Sequence, residues 1–169
     1  MNPNDTLTIA TDGSSSNRPV SGWAWIAEDG NYSAGTIPTG TILVAELRGI
    51  LEALRSAPVA RSVRILTDSR PALVLVNETL EMGVIRDRSG IRGAKDAAHA
   101  LHHIALLASR RAVSFEWVKG HSDHPLNNAA DRLAYQARRC AQLGGNPADL
   151  GVIYNRIVTE SIADLHHAR

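Results

Sequence analysis

Apolar residues recur along the chain at two different spacings, which predict a mixture of strands and helices. Residues 7–12 alternate apolar and polar side chains, as a strand buried on one face does, whereas the apolar positions of residues 43–57 recur at helical spacing. The remaining segments follow one pattern or the other. The predicted strands are residues 7–12, 21–28, 31–37, 62–67 and 113–118, and the predicted helices are residues 43–57, 94–109, 125–143 and 152–167, with one more that begins after Ser69.

Glycine, proline and serine predict the breaks between these elements. Gly13 and the serine-rich run after it are expected to end the first strand, and residues 29–30 to form a hairpin turn. Helical spacing also predicts which side chains face inward. These are Ala72, Leu73, Val76 and Leu80 in the helix after Ser69, Leu126, Ala130, Leu133 and Ala137 in residues 125–143, and Ile153, Ile157, Ile162 and Leu165 in the last helix.

The order of the elements is typical of an α/β domain. Three strands, a helix, a strand, two helices, a strand and a helix suggest a mixed sheet that is covered by helices. A length of 169 residues suits one domain with a core of its own. We expect this domain to span residues 1–145. Residues 146–169 are expected to form a helical extension that packs on or beside it.

Composition excludes several classes of protein. The chain has no run of about 18 apolar residues, and its first residues lack the basic start and apolar stretch of a secretory signal. Cys140 is the only cysteine, which excludes an internal disulfide and a cysteine zinc cluster. These observations predict a cytoplasmic protein without membrane association, and we expect a monomer.

The distribution of charge is more informative than the net charge of +1. Residues 61–120 contain ten basic and six acidic side chains, whereas residues 1–60 contain three basic and six acidic ones. The middle third of the chain can therefore present a basic face to a phosphate backbone. A solvated, salt-bridged surface is the alternative interpretation.

Four acidic residues stand in separate, recognisable contexts. Asp12 and Asp68 end strand-like runs, Glu46 and Asp131 lie on predicted helices, and His121 follows the last predicted strand. Two unit charges about 4 Å apart repel each other by roughly 4 kcal/mol at a near-surface dielectric. A fold that gathers four carboxylates needs cations, so a divalent-metal site is the first hypothesis.

Each acidic residue also has a structural explanation. Asp12 with Gly13 can form a plain turn, Glu46 can be a solvated acid in the first turn of its helix, and Asp68 can cap a helix before Ser69. The functional interpretation is preferred because all four acids occur together with the His121 motif. His99, His102 and His103 are interpreted as exposed polar positions of a helix, since no acidic partner motif accompanies them.

Five short motifs resemble those of type 1 ribonuclease H. They are residues 11–14, 45–54, 66–69, 116–121 and 124–128, the last leading into Asp131, and the resemblance covers roughly residues 7–140. It implies the ribonuclease H-like fold, a five-stranded mixed sheet flanked by helices. Three strands would form an antiparallel meander and two would be parallel. Asp12 and Asp68 would then lie at the same end of the sheet.

The resemblance also implies an activity, namely hydrolysis of the RNA strand of an RNA/DNA hybrid to give 3′-hydroxyl and 5′-phosphate ends. Two Mg²⁺ ions, or Mn²⁺ as a substitute, would be held by Asp12, Glu46, Asp68 and Asp131. His121 would assist proton transfer or product release. A non-catalytic hybrid-binding module is one alternative, and a nuclease of the same fold that acts on double-stranded RNA or structured DNA is another.

The chain departs from the family pattern where substrate is bound. Thr41 is kept, but Ile42 and Leu43 replace a pair of asparagines, and Arg70 replaces a glutamine. The segment of residues 83–95 is basic but has no aromatic residue, so we predict that it binds duplex phosphates by charge. The predicted substrate-binding residues are Gly13, Ser14, Asn17, Thr41, Arg70, Arg86, Arg88, Arg92 and Lys95.

Overall fold

Strands and helices follow one another in the predicted order in the computed structural model, which describes residues 6–38, 40–83, 92–120 and 124–167. The extra helix expected near the C-terminus is present. The elements are β1 (Thr6–Ser14), β2 (Ser21–Ala27), β3 (Tyr32–Ile37), α1 (Ile42–Ser56), β4 (Ser62–Thr67), α2 (Arg70–Met82), α3 (Ala94–Ala108), β5 (Val113–Trp117), α4 (Pro125–Leu143) and α5 (Pro147–His167).

The five strands form one mixed sheet in the order β3-β2-β1-β4-β5. β1, β2 and β3 form the predicted antiparallel meander, and β1, β4 and β5 are parallel neighbours, which confirms the predicted fold class. Thr11 pairs with Thr67, and Thr67 pairs with Trp117. The carboxyl ends of the three parallel strands therefore meet at one edge of the sheet, where ligand sites of open α/β sheets occur.

Helices cover both faces of the sheet, so the protein has two apolar cores. Ile9 of β1 belongs to the core formed with α1, α2 and α3, whereas its neighbour Ala10 belongs to the core formed with α4 and α5. This alternation follows from the period of two along a strand. Leu47, Ile50 and Leu54 of α1 are fully buried in the first core, so α1 is anchored on the sheet by its apolar face.

Three helices begin near this edge of the sheet, and a side chain caps each of them. Thr41 Oγ1 accepts a hydrogen bond from the Val44 N–H at 3.3 Å, and Ser69 Oγ accepts one from the Ala72 N–H at 3.4 Å. His124 caps α4. Such caps satisfy amide groups that the first helical turn leaves unpaired. Asp68 itself is not a cap, so that structural explanation of its presence is wrong.

The first strand does not end at Gly13. β1 continues to Ser14, because Gly13 pairs with Trp23 and Ser14 with Gly22 of β2. The glycine serves a different purpose, since a Cβ at this position would lie 2.7 Å from the backbone nitrogen of Glu46. The absence of a side chain therefore lets α1 approach the end of β1.

Helical spacing identified part of each buried face correctly. In α2, Ala72 and Val76 are buried as predicted, but Leu80 is exposed and Leu73 is only half-buried, while Leu75 and Thr79 are buried instead. The predicted face was wrong because α2 has more apolar residues than one face can bury, and its packing against α3 and β5 selects among them.

The last helix begins at Pro147, five residues earlier than predicted, and packs against α4. Ile157 and Ser161 are its buried residues, and Ile162 and Leu165 are partly buried against the second core. The prediction for Ile153 was wrong, since this side chain is exposed. Because α5 packs mainly on α4, with a smaller contact between its Tyr154 and Tyr32 of β3, it buries only a narrow stripe. No helix within the described ranges is apolar enough over a sufficient length to cross a membrane.

Candidate metal centre

Asp12, Glu46 and Asp68 form a carboxylate cluster at the carboxyl edge of the parallel strands. Asp12 is near the end of β1, Asp68 directly follows β4, and Glu46 projects from α1. One carboxylate oxygen from each lies within 4.8 Å of the others. Among the described residues, no other three side chains of the metal-ligating types are grouped in this way.

Glu46 is buried, with 5% of its surface exposed. It is the fifth residue of α1, and the first turn of this helix contains no acidic residue. The interpretation as a solvated first-turn acid is therefore wrong, and the helix dipole does not explain why the residue is there. The Oε2 atom of Glu46 is buried and has no hydrogen-bond partner among the described residues. A buried carboxylate oxygen that lacks a partner is costly unless a cation binds it.

Burial and mutual repulsion disfavour negative charge in this cluster. Burial, followed by the charges of Glu46, Asp68 and Asp131, raises the pKa of Asp12 to about 10. Burial also raises the pKa of Glu46 well above its ordinary value, and the charge of Asp68 adds to the shift. A hydrogen bond from the Gly13 backbone acts in the opposite direction on both groups. No cation of the described residues contributes to these shifts, and the donor set of carboxylate oxygens fits a hard divalent cation.

Asp131 lies farther from the centre than the other three acids. It is on α4, is half-buried, and is not part of the group within 4.8 Å. Its charge nevertheless raises the pKa of both Asp12 and Glu46, so it contributes to the same electrostatic environment. The structure thus brings three of the four predicted ligands into close contact and places the fourth at the margin.

Asp68 is held in place by two neighbours from other elements. Asn127 Nδ2 donates a hydrogen bond to Asp68 Oδ2 at 3.4 Å. Gly120 lies so close that a Cβ on it would be 2.6 Å from Asp68 Oδ2. The loop after β5 therefore passes directly beside this carboxylate, and it leads to His121, which is outside the described residues.

Asn127 lies in the motif of residues 124–128 but is not among the predicted catalytic, metal-binding or substrate-binding residues. It is 1% exposed and contacts Asp68 directly. Its backbone N–H donates to His124 Nδ1 at 3.4 Å, which fixes the first turn of α4. Within the described part of the chain, its Oδ1 atom is buried and has no hydrogen-bond partner. The available signal was its position in the first turn of the helix that also carries Asp131.

The predicted substrate-binding residues are dispersed around the cluster. Gly13 lies within β1 beside Glu46, and Ser14 Oγ accepts a hydrogen bond from Arg138 Nε at 2.9 Å, so this hydroxyl has a structural partner. Asn17 is exposed in the segment that follows β1. Thr41 caps α1.

The basic residues predicted to bind phosphates lie on two sides of the cluster. Arg92 and Lys95 are exposed near the start of α3. This region adjoins α1, since a Cβ on Gly93 would be 2.9 Å from Val44 Cγ2. Arg70 begins α2, close to Asp68. The predictions for Arg86 and Arg88 concern residues outside the described ranges.

His99, His102 and His103 contact one another through their rings on α3. The ring centroids of His99 and His103 are 4.4 Å apart, and those of His102 and His103 are 5.5 Å apart. His99 and His102 are exposed and His103 is half-buried. Desolvation, with smaller effects of the neighbouring histidines and Arg55, lowers the pKa of His103. None of the three belongs to a group of described residues that could hold a metal ion.

Comparison with known proteins agrees with this geometry. The family model described as RNase H matches residues 4–139 of the chain. The chain belongs to the ribonuclease H family. A ribonuclease H of Tropheryma whipplei is 32% identical over 137 residues, which cover 79% of this chain and 85% of the relative. One from Chlorobium luteolum is 33% identical over 137 residues, covering 78% and 94% of the two chains.

A solved structure shares the ribonuclease H fold seen here. It is the N-terminal RNase H domain of a Mycobacterium tuberculosis protein, determined as a fusion with maltose binding protein, and it superposes with a TM-score of 0.63. The two are 26% identical, and the match covers 82% of this chain and 97% of that chain. The family match ends within α4, so α5 lies beyond it.

Proposed function

We propose that this chain is an endonuclease that hydrolyses the RNA strand of RNA/DNA hybrids and leaves 3′-hydroxyl and 5′-phosphate ends. The observation that carries the proposal is the buried carboxylate cluster at the carboxyl edge of the sheet, in a chain of the ribonuclease H family. A structural role for Glu46 would require a partner for its buried carboxylate. The described residues offer none for Oε2.

Asp12, Glu46 and Asp68 would hold two Mg²⁺ or Mn²⁺ ions, with Asp131 completing the set from the margin. When bound, two such ions supply an activated water and stabilise the leaving oxygen of an in-line displacement at phosphorus. The residues of the chain position and hold these groups. Asn127 orients the Asp68 carboxylate, and the Gly13 N–H counters the raised pKa of Asp12 and Glu46. His121, ten residues before Asp131, is proposed to assist proton transfer or product release.

The hybrid would lie across the carboxyl edge of the sheet. Thr41, Arg92 and Lys95 on one side and Arg70 on the other would contact it, with Gly13, Ser14 and Asn17 near the end of β1. Arg86 and Arg88 would extend the basic side. We further propose a monomeric cytoplasmic protein, in which residues 1–145 form the ribonuclease H domain and α5 is an extension.

A substrate panel tests this proposal. Labelled RNA/DNA hybrid, double-stranded RNA, double-stranded DNA and structured DNA are incubated with the protein at increasing Mg²⁺ or Mn²⁺. We expect cleavage of the RNA strand of the hybrid only, and none when the metal is chelated. Asp68→Asn should abolish cleavage. Asp149→Asn is the matched control, because Asp149 is an exposed acid at the start of α5, and it should cleave like the unmodified protein.

Two results would contradict the proposal. Binding of the hybrid without cleavage at any concentration of either metal would indicate a non-catalytic binding module. Faster cleavage of double-stranded RNA or structured DNA than of the hybrid would indicate a nuclease of the same fold with another substrate.

A further inference from the structure

Trp117 is fixed at the end of β5, beside the carboxylate cluster. Its backbone is paired with Thr67 of β4, and its indole Nε1–H donates a hydrogen bond to the carbonyl oxygen of Asp68 at 3.1 Å. The side chain is nonetheless 37% exposed. The ring is therefore held by the same strand end that positions Asp68, and it presents a face to solvent.

Arg70 lies on that face. Its guanidinium carbon is 4.1 Å from the Trp117 ring centroid, the shortest arginine–aromatic contact within the described part of the chain. Stacking of this kind is attractive even at exposed sites. It fixes the plane of the guanidinium and leaves the five in-plane N–H donors free to bind an anion.

Some arginines of the described ranges pair with acidic side chains, unlike Arg70. Arg132 and Arg156 both pair with Glu160. No ion pair or side-chain hydrogen bond to another described residue engages Arg70. It is also the first residue of α2, where the helix dipole disfavours a cation that has no anion nearby. Arg70 is therefore an exposed, oriented cation beside the carboxylate cluster that no described residue neutralises, and such a cation is suited to an anionic ligand.

We propose that Trp117 is a positioning residue that holds the Arg70 guanidinium to bind a backbone phosphate of the nucleic acid, next to the phosphodiester that is cleaved. This inference rests on the proposed function and deepens it. A guanidinium binds a phosphate through two parallel hydrogen bonds when its plane is fixed in advance. The contact with Trp117 also keeps the flexible side chain from folding onto the Asp68 carboxylate.

The residues on the opposite side of the cluster explain why a phosphate contact by Arg70 would matter for binding. The start of α1 carries Ile42, which is 46% exposed, followed by Leu43. These side chains have no hydrogen-bond donors, so they cannot bind the sugar or phosphate oxygens of a duplex. Binding must then depend more strongly on cations elsewhere around the cluster, and Arg70 is the cation closest in sequence to Asp68.

Steady-state cleavage of labelled hybrid at several salt concentrations tests the inference. Arg70→Ala should raise KM about 10-fold, reduce the slope of log affinity against log salt by about one, and change kcat by less than about two-fold. Arg70→Lys should recover part of the affinity, because the charge returns without the flat stacking group. Arg110→Ala is the matched control, since this exposed arginine precedes β5 at the opposite end of the sheet, and it should leave KM and the slope unchanged.

Variants of Trp117 separate a positioning role from a structural one. Trp117→Leu should raise KM in the same direction as Arg70→Ala, whereas Trp117→Phe, which keeps an aromatic face, should stay within about three-fold of the unmodified protein. The double variant Arg70→Ala, Trp117→Leu should have the KM of Arg70→Ala alone, because Trp117 acts through Arg70.

The inference is overturned if Arg70→Ala leaves KM and the salt slope unaltered, or if the effects of the two substitutions add in full. A loss confined to kcat and thermal stability in Trp117→Leu would also overturn it, since that would show a structural role. Failure of the proposed function gives a different result, namely no hybrid cleavage by the unmodified protein. In that case, hybrid affinity measured by fluorescence anisotropy still tests the phosphate contact.

Discussion

Glu46 and Glu160 are glutamates on two helices of one protein, and their environments are opposite. Glu46 is buried beside two other acids, with one carboxylate oxygen unpartnered, and its pKa is raised by burial and by negative charge. Glu160 is exposed and accepts hydrogen bonds from Arg156 and Arg132 at 2.8 and 2.9 Å, which lower its pKa. The charged form of a glutamate is therefore disfavoured at position 46 and favoured at position 160.

The difference separates acids that serve binding from acids that serve folding. Glu160 is neutralised by its own chain and joins α5 to α4 through Arg132. Glu46 is not neutralised by any described residue, and its carboxylate is costly to keep charged. A fold keeps such a group when something outside the chain binds it. The contrast can be tested by making equivalent substitutions in both regions.

The largest effect is expected from Glu46→Gln. This change keeps the shape of the side chain and removes its charge, so cleavage of the hybrid should fall by at least about 1,000-fold, or about 4 kcal/mol of transition-state stabilisation. Glu160→Gln should cleave within two-fold of the unmodified protein. Single-turnover cleavage at saturating Mg²⁺ measures both. If Glu46→Gln kept more than a tenth of normal activity, the proposal that Glu46 serves metal binding and Glu160 serves folding would be contradicted.

Asn127→Ala should have the next largest effect, because this substitution frees the Asp68 carboxylate without changing any acid. Loss of a group that orients a metal ligand typically costs about 10–100-fold in metal affinity or activity. We expect a loss of that size, with partial recovery at high Mg²⁺. The measurement is the Mg²⁺ dependence of kcat, together with the melting temperature in chelator. An unchanged Mg²⁺ dependence would mean that Asn127 only supports packing.

Asp12→Asn should stabilise the metal-free protein at neutral pH, because a carboxyl group with so raised a pKa must either take up a proton on folding or keep its charge beside other acids, and the amide does neither. In chelator the melting temperature should rise by about 3 °C or more. At about 100 times its dissociation constant, Mg²⁺ should raise the melting temperature of the unmodified protein by about 5–10 °C, from about 2.7 kcal/mol of binding. The variant should show little of that rise. Calorimetry with and without Mg²⁺ gives both values, and a lower melting temperature of Asp12→Asn in chelator would contradict the proposed repulsion.

Glu160→Gln is expected to have the smallest effect, a decrease in melting temperature of less than about 2 °C, because exposed ion pairs contribute little. The sign of its pH dependence follows from the lowered pKa of Glu160. Its contribution is present above the ordinary value of 4.5 and is lost as pH falls through the lower value in the folded protein. The difference between the two proteins should therefore vanish in acid. Melting curves from neutral to acidic pH measure the difference in melting temperature between the two proteins. A difference that grows in acid would contradict the lowered pKa of Glu160.

Local sequence patterns were sufficient for most of the secondary structure. The predicted α1 matches the structure within one residue at each end, because its apolar positions fit only one helical face and Pro58 follows it. Local patterns were not sufficient for the buried face of α2. Its apolar residues fit more than one stripe, so only its contacts with α3 and β5 decide that Leu75 is buried and Leu80 is not.

The candidate metal site was likewise predicted only in part. Motifs identified Asp12, Glu46, Asp68 and Asp131 as a group, and the structure brings one carboxylate oxygen from each of the first three within 4.8 Å of the others. They did not reveal that Glu46 is buried beyond the first helical turn. They also did not reveal that Asn127 contacts Asp68 across 59 positions of sequence.

The sequence by itself determined which segments become strands and helices and which side chains can bind a divalent cation, because these properties depend on near neighbours and on side-chain chemistry. Only the tertiary structure decided how close the carboxylates lie, which of them are buried, and that Trp117 holds Arg70 beside them. The register of β4 between β1 and β5 places Asp12, Asp68 and Trp117, and the close approach of α1 to Gly13 places Glu46. This arrangement arises from pairing and packing between residues that are far apart in the chain, so no local pattern contains it.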